Sequence, residues 1–165
     1  MDIRQPVRVT HTYRQHLDGA VTEVMPLLCP VREAEWASGW EPRLVVSGCG
    51  VVERDCVFTT SDPAGGPGAE AIWTVLEYDQ LAGIVEMFKV TPGFLAIRIF
   101  IALRAAGEYR CTADVTYRYT ALGPVGERYV AGRTAAAYAA FMREWEAELN
   151  EFLVASRAEL QGSGA

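Results

Sequence analysis

The strongest constraint on this chain is the order of its hydrophobic patterns. Short runs with period-2 alternation fill residues 43–120, and one amphipathic 3.6-residue period then fills residues 126–158. The alternation is cleanest late in the run. Ile97, Ile99, Ile101 and Leu103 share one face there, with Arg98, Phe100, Ala102 and Arg104 on the other. After Ala106 and Gly107, the returning run sets Cys111, Ala113, Val115, Tyr117 and Tyr119 against Arg110, Thr112, Asp114, Thr116 and Arg118. A sheet covered on one face and wet on the other requires this pattern. The short turn signals between runs argue for antiparallel meander pairing and against βαβ units.

The earlier runs complete the sheet. Residues 44–49, 57–60, 70–78 and 84–90 read as strands, with a Gly/Pro-rich loop from Asp62 to Gly68. Residues 7–13 alternate as a first strand. Asp18 then offers an N-cap for a short helix that Pro26 ends or kinks, and Pro30 opens a second short helix over residues 31–37. The final helix carries its apolar stripe at Tyr138, Phe141, Met142, Trp145, Leu149, Phe152 and Leu153. These patterns predict an α+β fold: a curved antiparallel sheet of about seven strands wrapped on a long C-terminal helix, with two short helices after strand 1. A curved sheet closed by a helix encloses a pocket rather than a solid core.

Length and composition exclude several classes. The 165 residues suit one domain over 1–160, followed by a flexible tail at 161–165. The net charge is −6 and no basic cluster occurs, which argues against nucleic acid as a partner. The longest apolar stretch, residues 94–103, is interrupted by Arg98 and falls far short of the ~20 residues a spanning helix needs. No apolar signal-peptide core follows Met1, so a cytoplasmic protein is expected. Cys29, Cys49, Cys56 and Cys111 fit no zinc spacing and are expected to be buried, reduced thiols, with a Cys49–Cys56 bridge across a hairpin as the alternative. His11 and His16 lie in separate settings, so no metal site is expected. No P-loop, dinucleotide fingerprint or nucleophile elbow is present, and no cofactor is expected.

The order strand, two short helices, six strands, long helix resembles the START-like superfamily, also called SRPBCC or Bet v 1-like, with its helix-grip fold. Local features are similar to bacterial polyketide cyclase/dehydrase-like members. They are Glu33-x-x-Trp36-x-x-Gly39-Trp40, Val57-Phe58-Thr59-Thr60, Trp73-Thr74-Val75 with Tyr78-Asp79, Val90-Thr91-Pro92-Gly93, and Val115-Thr116-Tyr117-x-Tyr119-Thr120-Ala121-Leu122. The resemblance spans residues 7–153. It implies a cavity between the concave sheet face and the final helix, with its mouth near the short helices. It leaves function open, because one fold hosts many functions.

Candidate site residues follow from the inward faces. Trp36, Trp40, Phe58, Trp73, Ile99, Tyr117, Tyr119, Tyr138, Phe141, Met142 and Trp145 are candidates for the cavity wall, where aromatic rings can stack on a planar ligand and phenols can donate to a carbonyl. Each could equally be ordinary core. Among polar candidates, Arg32 could meet a ligand carboxylate and Glu33 could act as a base, although exposed helical charge is the plainer expectation for both. His11 on an apolar face reads as a satisfied core histidine. Arg98 and Asp114 fall on the outer faces of adjacent strands, where a cross-strand ion pair is expected; reversed parity would turn both into the cavity. These groups favour binding of a hydrophobic or amphipathic small molecule, of lipid, polyketide or isoprenoid type. The alternatives are a polyketide cyclase, aromatase or dehydratase, and a partner-binding protein with a vestigial cavity. A homodimer remains open.

Overall fold

The computed structural model describes residues 1 and 3–162. Strand β1 (Arg8–Leu17) leads into α1 (Val21–Val24), a 3₁₀ turn at Met25–Leu27 and a second at Arg32–Glu35. Strands β2 (Pro42–Val46), β3 (Val57–Ser61), β4 (Glu70–Asp79), β5 (Ile84–Thr91), β6 (Leu95–Gly107) and β7 (Arg110–Ala121) follow, with a 3₁₀ turn at Pro63–Gly65. Helices α2 (Pro124–Gly132) and α3 (Ala135–Gly162) close the chain. The frayed tail expected at 161–165 meets the end of α3, and residues 163–165 lie outside the described residues.

All seven strands form one antiparallel sheet, in the order β1-β7-β6-β5-β4-β3-β2. β2 to β7 run as a meander, and β1 pairs with β7 from Arg8 opposite Thr120 to Leu17 opposite Cys111. Register irregularities in β2, β4 and β6 add the local bends that curve such a sheet. The alternation holds in β6 and β7. Ile97, Ile99, Ile101 and Leu103 are buried together with Cys111, Ala113, Val115 and Tyr119, while Arg98, Arg104 and Arg118 are exposed.

Helix α3 lies across the concave face and is tied to it by polar contacts at several levels. The Tyr138 hydroxyl donates to the Val115 carbonyl (2.8 Å), and the Gln15 amide donates to the Met142 carbonyl (3.1 Å). Near its far end, Asn150 accepts from the Asp18 N–H and donates to the His16 carbonyl. The bonds to Val115, Met142 and Asp18 satisfy buried or half-buried backbone groups that apolar packing would leave unpaired, while that to His16 is exposed.

The structure departs from the sequence reading in four places. The expected single final helix is two helices, broken at Gly132-Arg133-Thr134. Arg133 leaves the helical region (φ −81°, ψ 66°), and the Thr134 hydroxyl accepts the Ala137 N–H (3.2 Å) to cap α3. Asp18 does not cap the first helix: Ala20 begins it, and the Glu23 carboxylate accepts the Ala20 N–H (2.7 Å). The second short helix reduces to a single 3₁₀ turn. Finally, β2 ends at Val46, which leaves Cys49 exposed in the loop beyond it. All four thiols are free, so neither the bridge nor the burial of Cys49 holds. Burial pushes the Cys111 thiol up to about 11, which keeps it inert.

Glycine at position 126 is required by close approach. A Cβ there would lie 1.9 Å from the Phe94 carbonyl oxygen, so α2 can seat against the β5–β6 turn only without a side chain at this position.

Candidate functional site

The concave face of β3–β7, the Arg32–Glu35 turn with the segment after it, and helices α2 and α3 enclose a cavity of about 460 Å³. That volume lies within the range of small-molecule sites. The sheet contributes Trp73, Met87, Ile97, Ile99, Ile101, Tyr117 and Tyr119. Trp40 stands at the mouth, and α3 contributes Phe141 and Trp145. Of the aromatic and aliphatic candidates, Trp40, Trp73, Ile99, Tyr117, Tyr119, Phe141 and Trp145 therefore border the cavity.

Four wall candidates do not border it. Phe58 is wholly buried beneath Trp73, with stacked rings 5.2 Å apart. Trp36 fills the seam against Trp145 and donates its indole N–H to the Leu27 carbonyl (3.1 Å). Tyr138 and Met142 are wholly buried between α3 and the sheet. They pack one layer behind the wall, where the Tyr138 hydroxyl finds its acceptor on β7 and the Met142 carbonyl meets Gln15 of β1.

The polar candidates separate sharply. Glu33 is buried at 9% exposure and borders the cavity, contrary to the exposed helical charge expected. Its carboxyl group makes no hydrogen bond or ion pair to any described residue. Burial alone pushes it up to about 8. The tight turn causes this placement. The Glu33 N–H donates to the Cys29 carbonyl (2.7 Å) and its own carbonyl accepts from Ala37 (2.7 Å), and the side chain is thereby aimed inward. Arg32 points outward and pairs with Glu35 (2.9 Å), so it does not reach the cavity.

His11 also lies outside the wall. It stacks on Tyr138 and its Nε2 bonds the Arg133 carbonyl (2.6 Å), the satisfied-histidine role expected of it. Arg98 and Asp114 keep the expected outward parity, but they do not pair with each other. In the β6–β7 register Arg98 faces Arg118 and Asp114 faces Ala102, so the expected cross-strand bridge is corrected to two others. Arg98 pairs with Glu86 of β5, and Asp114 with Arg14 of β1 (2.7 Å).

The wall also holds polar groups that the sequence did not single out, among them Lys89, Tyr129 and Arg133. Lys89 pairs with Asp62 (2.9 Å), stands 5.1 Å from the centre of the Trp73 ring, and is largely enclosed. Arg133 occupies the break between α2 and α3, with its guanidinium 4.3 Å from the centre of the Tyr129 ring. The signal for that break was present as Gly132 followed by the N-cap residue Thr134, but the surrounding helical period concealed it.

Phenols connect the two charged ends. Tyr117 and Tyr119 lie 5.8 Å apart between ring centres, and Tyr119 and Tyr129 lie 6.5 Å apart. Burial raises Tyr117 well above the ordinary phenol range and raises Tyr119 and Tyr129 too, so all three remain neutral donors. The cavity thus offers an aromatic trough with a protonatable carboxyl at one end and cations at the other. Among the described residues, no cluster of three or more His, Cys, Asp or Glu side chains could hold a metal ion, and no helix is long and apolar enough to cross a membrane.

No protein-family model and no curated protein matches the chain by sequence. Solved structures do match it. Norcoclaurine synthase from Thalictrum flavum, in complex with dopamine and hydroxybenzaldehyde, is 11% identical with a TM-score of 0.63, covering 93% of this chain and 94% of that one. The Zhui aromatase/cyclase from Streptomyces sp. R1128 is 11% identical with a TM-score of 0.62, covering 96% and 99%. Ara h 8.0201 is 9% identical with a TM-score of 0.61, covering 90% and 99%. At such identities the likeness is one of fold, and with the curved seven-stranded sheet gripping α3 it shows that the chain has the helix-grip fold of these proteins.

Proposed function

We propose that this protein binds a hydrophobic or amphipathic small molecule with an aromatic or polyketide-like body in the cavity between sheet and α3. One observation carries the reading: a cavity of about 460 Å³ walled by Trp40, Trp73, Tyr117, Tyr119, Phe141 and Trp145, which supplies stacking surface along most of its length. An open cavity of this size also weighs against a vestigial one. Solved proteins of the same fold support the reading by analogy, since one holds dopamine and hydroxybenzaldehyde and another is an aromatase/cyclase.

Native mass spectrometry of protein purified from its own host tests this directly, because a retained ligand adds mass. A naphthalene-type fluorescent probe is the in vitro counterpart. It should bind with micromolar affinity, and Tyr117→Ala should change that affinity several-fold. Absence of binding across a broad hydrophobic panel would overturn the proposal.

Glu33 favours a second reading, in which the bound molecule is also transformed. A carboxyl group held near 8 with no partner can take a proton from carbon beside a carbonyl and return it elsewhere, with the neutral Tyr117 phenol donating to the enolate oxygen. That chemistry suits a cyclase or dehydratase. An aryl ketone incubated in D2O should then gain deuterium at its α-carbon faster with the wild type than with Glu33→Gln, and the rate should climb with pH to a plateau above about 8. Equal exchange with and without protein, while the ketone is demonstrably bound, would remove Glu33 from any such role.

A further inference from the structure

The α2–α3 break places Arg133 in the cavity wall without a counter-ion. Its Nε–H is buried and has no acceptor among the described residues, and the guanidinium makes no ion pair there. The Tyr129 ring face at 4.3 Å offsets part of the charge, but a ring offers no acceptor for an N–H. The one nearby carboxylate is already engaged. Asp62 accepts from Lys89 (2.9 Å) and from the Thr91 hydroxyl (2.5 Å), and the Tyr129 hydroxyl senses both Asp62 and Arg133. This end of the cavity therefore holds two cations and one carboxylate. Glu41 and Glu144 also border the cavity but are exposed, where water and salt screen them. Glu148 accepts the Ser38 N–H (3.0 Å) on the α3 side of the mouth, and Glu33 is enclosed with no partner of its own. The break is held in place from below, because His11 bonds the Arg133 carbonyl (2.6 Å). A guanidinium fork so held suits a planar carboxylate.

We propose that Arg133 is an anion-recognition residue, and that the molecule bound in this cavity is an amphipathic monocarboxylate whose aromatic or polyene body lies along Tyr119 and Tyr117 with its far end towards Glu33. The inference rests on the cavity-binding reading above and narrows the ligand class. The head group would supply the acceptor Arg133 lacks and balance the excess charge beside Lys89.

A matched probe pair tests it: 2-naphthoate and methyl 2-naphthoate, which share a ring system and differ by one charge. Wild-type protein at low salt should bind the acid at least tenfold tighter than the ester, and added salt should narrow the ratio. Arg133→Gln, with an unchanged circular dichroism spectrum, should bring the ratio close to one. Arg133→Lys, which keeps the charge but not the fork, should give an intermediate ratio and serves if the glutamine variant does not fold. Equal affinity of the wild type for acid and ester overturns the inference and leaves the cavity reading standing. Failure of both probes to bind overturns the two together. A ratio that survives in folded Arg133→Gln but collapses in Lys89→Met also overturns it, by assigning the anion to Lys89.

Discussion

Charged groups on the two sides of the sheet live under different rules. On the outer face several pair with neighbours, Arg98 with Glu86, Asp114 with Arg14 and Arg54 with Glu77, and the others stand in water. Across the sheet in the cavity, Glu33 and Arg133 have no partner among the described residues, and Lys89 pairs with an enclosed aspartate. A pair on a wet surface gains little, because water screens it and two long side chains must be ordered. An enclosed and unpaired group is costly; burial neutralises Glu33, and at Arg133 the proposed ligand head group would offset the cost. Enclosure without a partner therefore separates functional candidates from structural charges here better than charge density does. The densest cluster by sequence, Arg32-Glu33-Ala34-Glu35, splits into an exposed i,i+3 pair and one buried acid.

Glu33 sharpens the contrast most. Its folded value of about 8 lies above the ordinary carboxylate range, so the native state holds a proton there that the unfolded chain releases. Stability from this proton is complete at pH below about 4, declines as pH rises, and is exhausted above about 8. At roughly 1.4 kcal/mol per unit, the decline sums to about 4–5 kcal/mol. Urea melts at pH 5, 7 and 9 should show this slope in the wild type and lose it in Glu33→Gln, which should be the more stable of the two at pH 9. Parallel pH profiles for the two proteins would sink the claim that Glu33 is buried without a counter-ion.

The Asp62–Lys89 pair tests the ground between the two regimes, being both enclosed and paired. Asp62→Ala strands the ammonium beside Trp73 and removes the acceptor of Thr91. A loss of about 3 kcal/mol is expected in chemical denaturation. A loss under about 1 kcal/mol would class this pair with the surface ones. The smallest effect belongs to the outer face. A double-mutant cycle on Arg98 and Glu86 should return a coupling below about 1 kcal/mol that fades with added salt. A larger, salt-resistant coupling would break the distinction drawn between the two faces.

Much of the architecture was legible in the sequence, for a local reason. Alternation sets which side chains share a strand face, so the inward row Ile97, Ile99, Ile101 and Leu103 and the outward placement of Arg98 and Asp114 followed directly from period 2. Periodicity is blind to depth. It groups Tyr138 and Met142 with Phe141 and Trp145 on one helical stripe, yet the first two are wholly buried and Phe141 is 41% exposed beside the cavity. It is also blind to pairing across the sheet, which is why Arg98 and Asp114 were matched to each other when the register gives them Glu86 and Arg14.

The sequence by itself determined the class of fold, the strand faces and the aromatic character of the enclosed surface, because all of these are set by residues two to four positions apart. Only the tertiary structure decided which charges are left alone. Glu33 is enclosed because its 3₁₀ turn closes the mouth of the cavity. Arg133 enters the wall because Gly126 lets the first turn of α2 seat against the Phe94 carbonyl and His11 holds the break beyond the last turn. Both outcomes depend on groups more than thirty residues away in the chain or on the curvature of the whole sheet, and no local pattern carries that information.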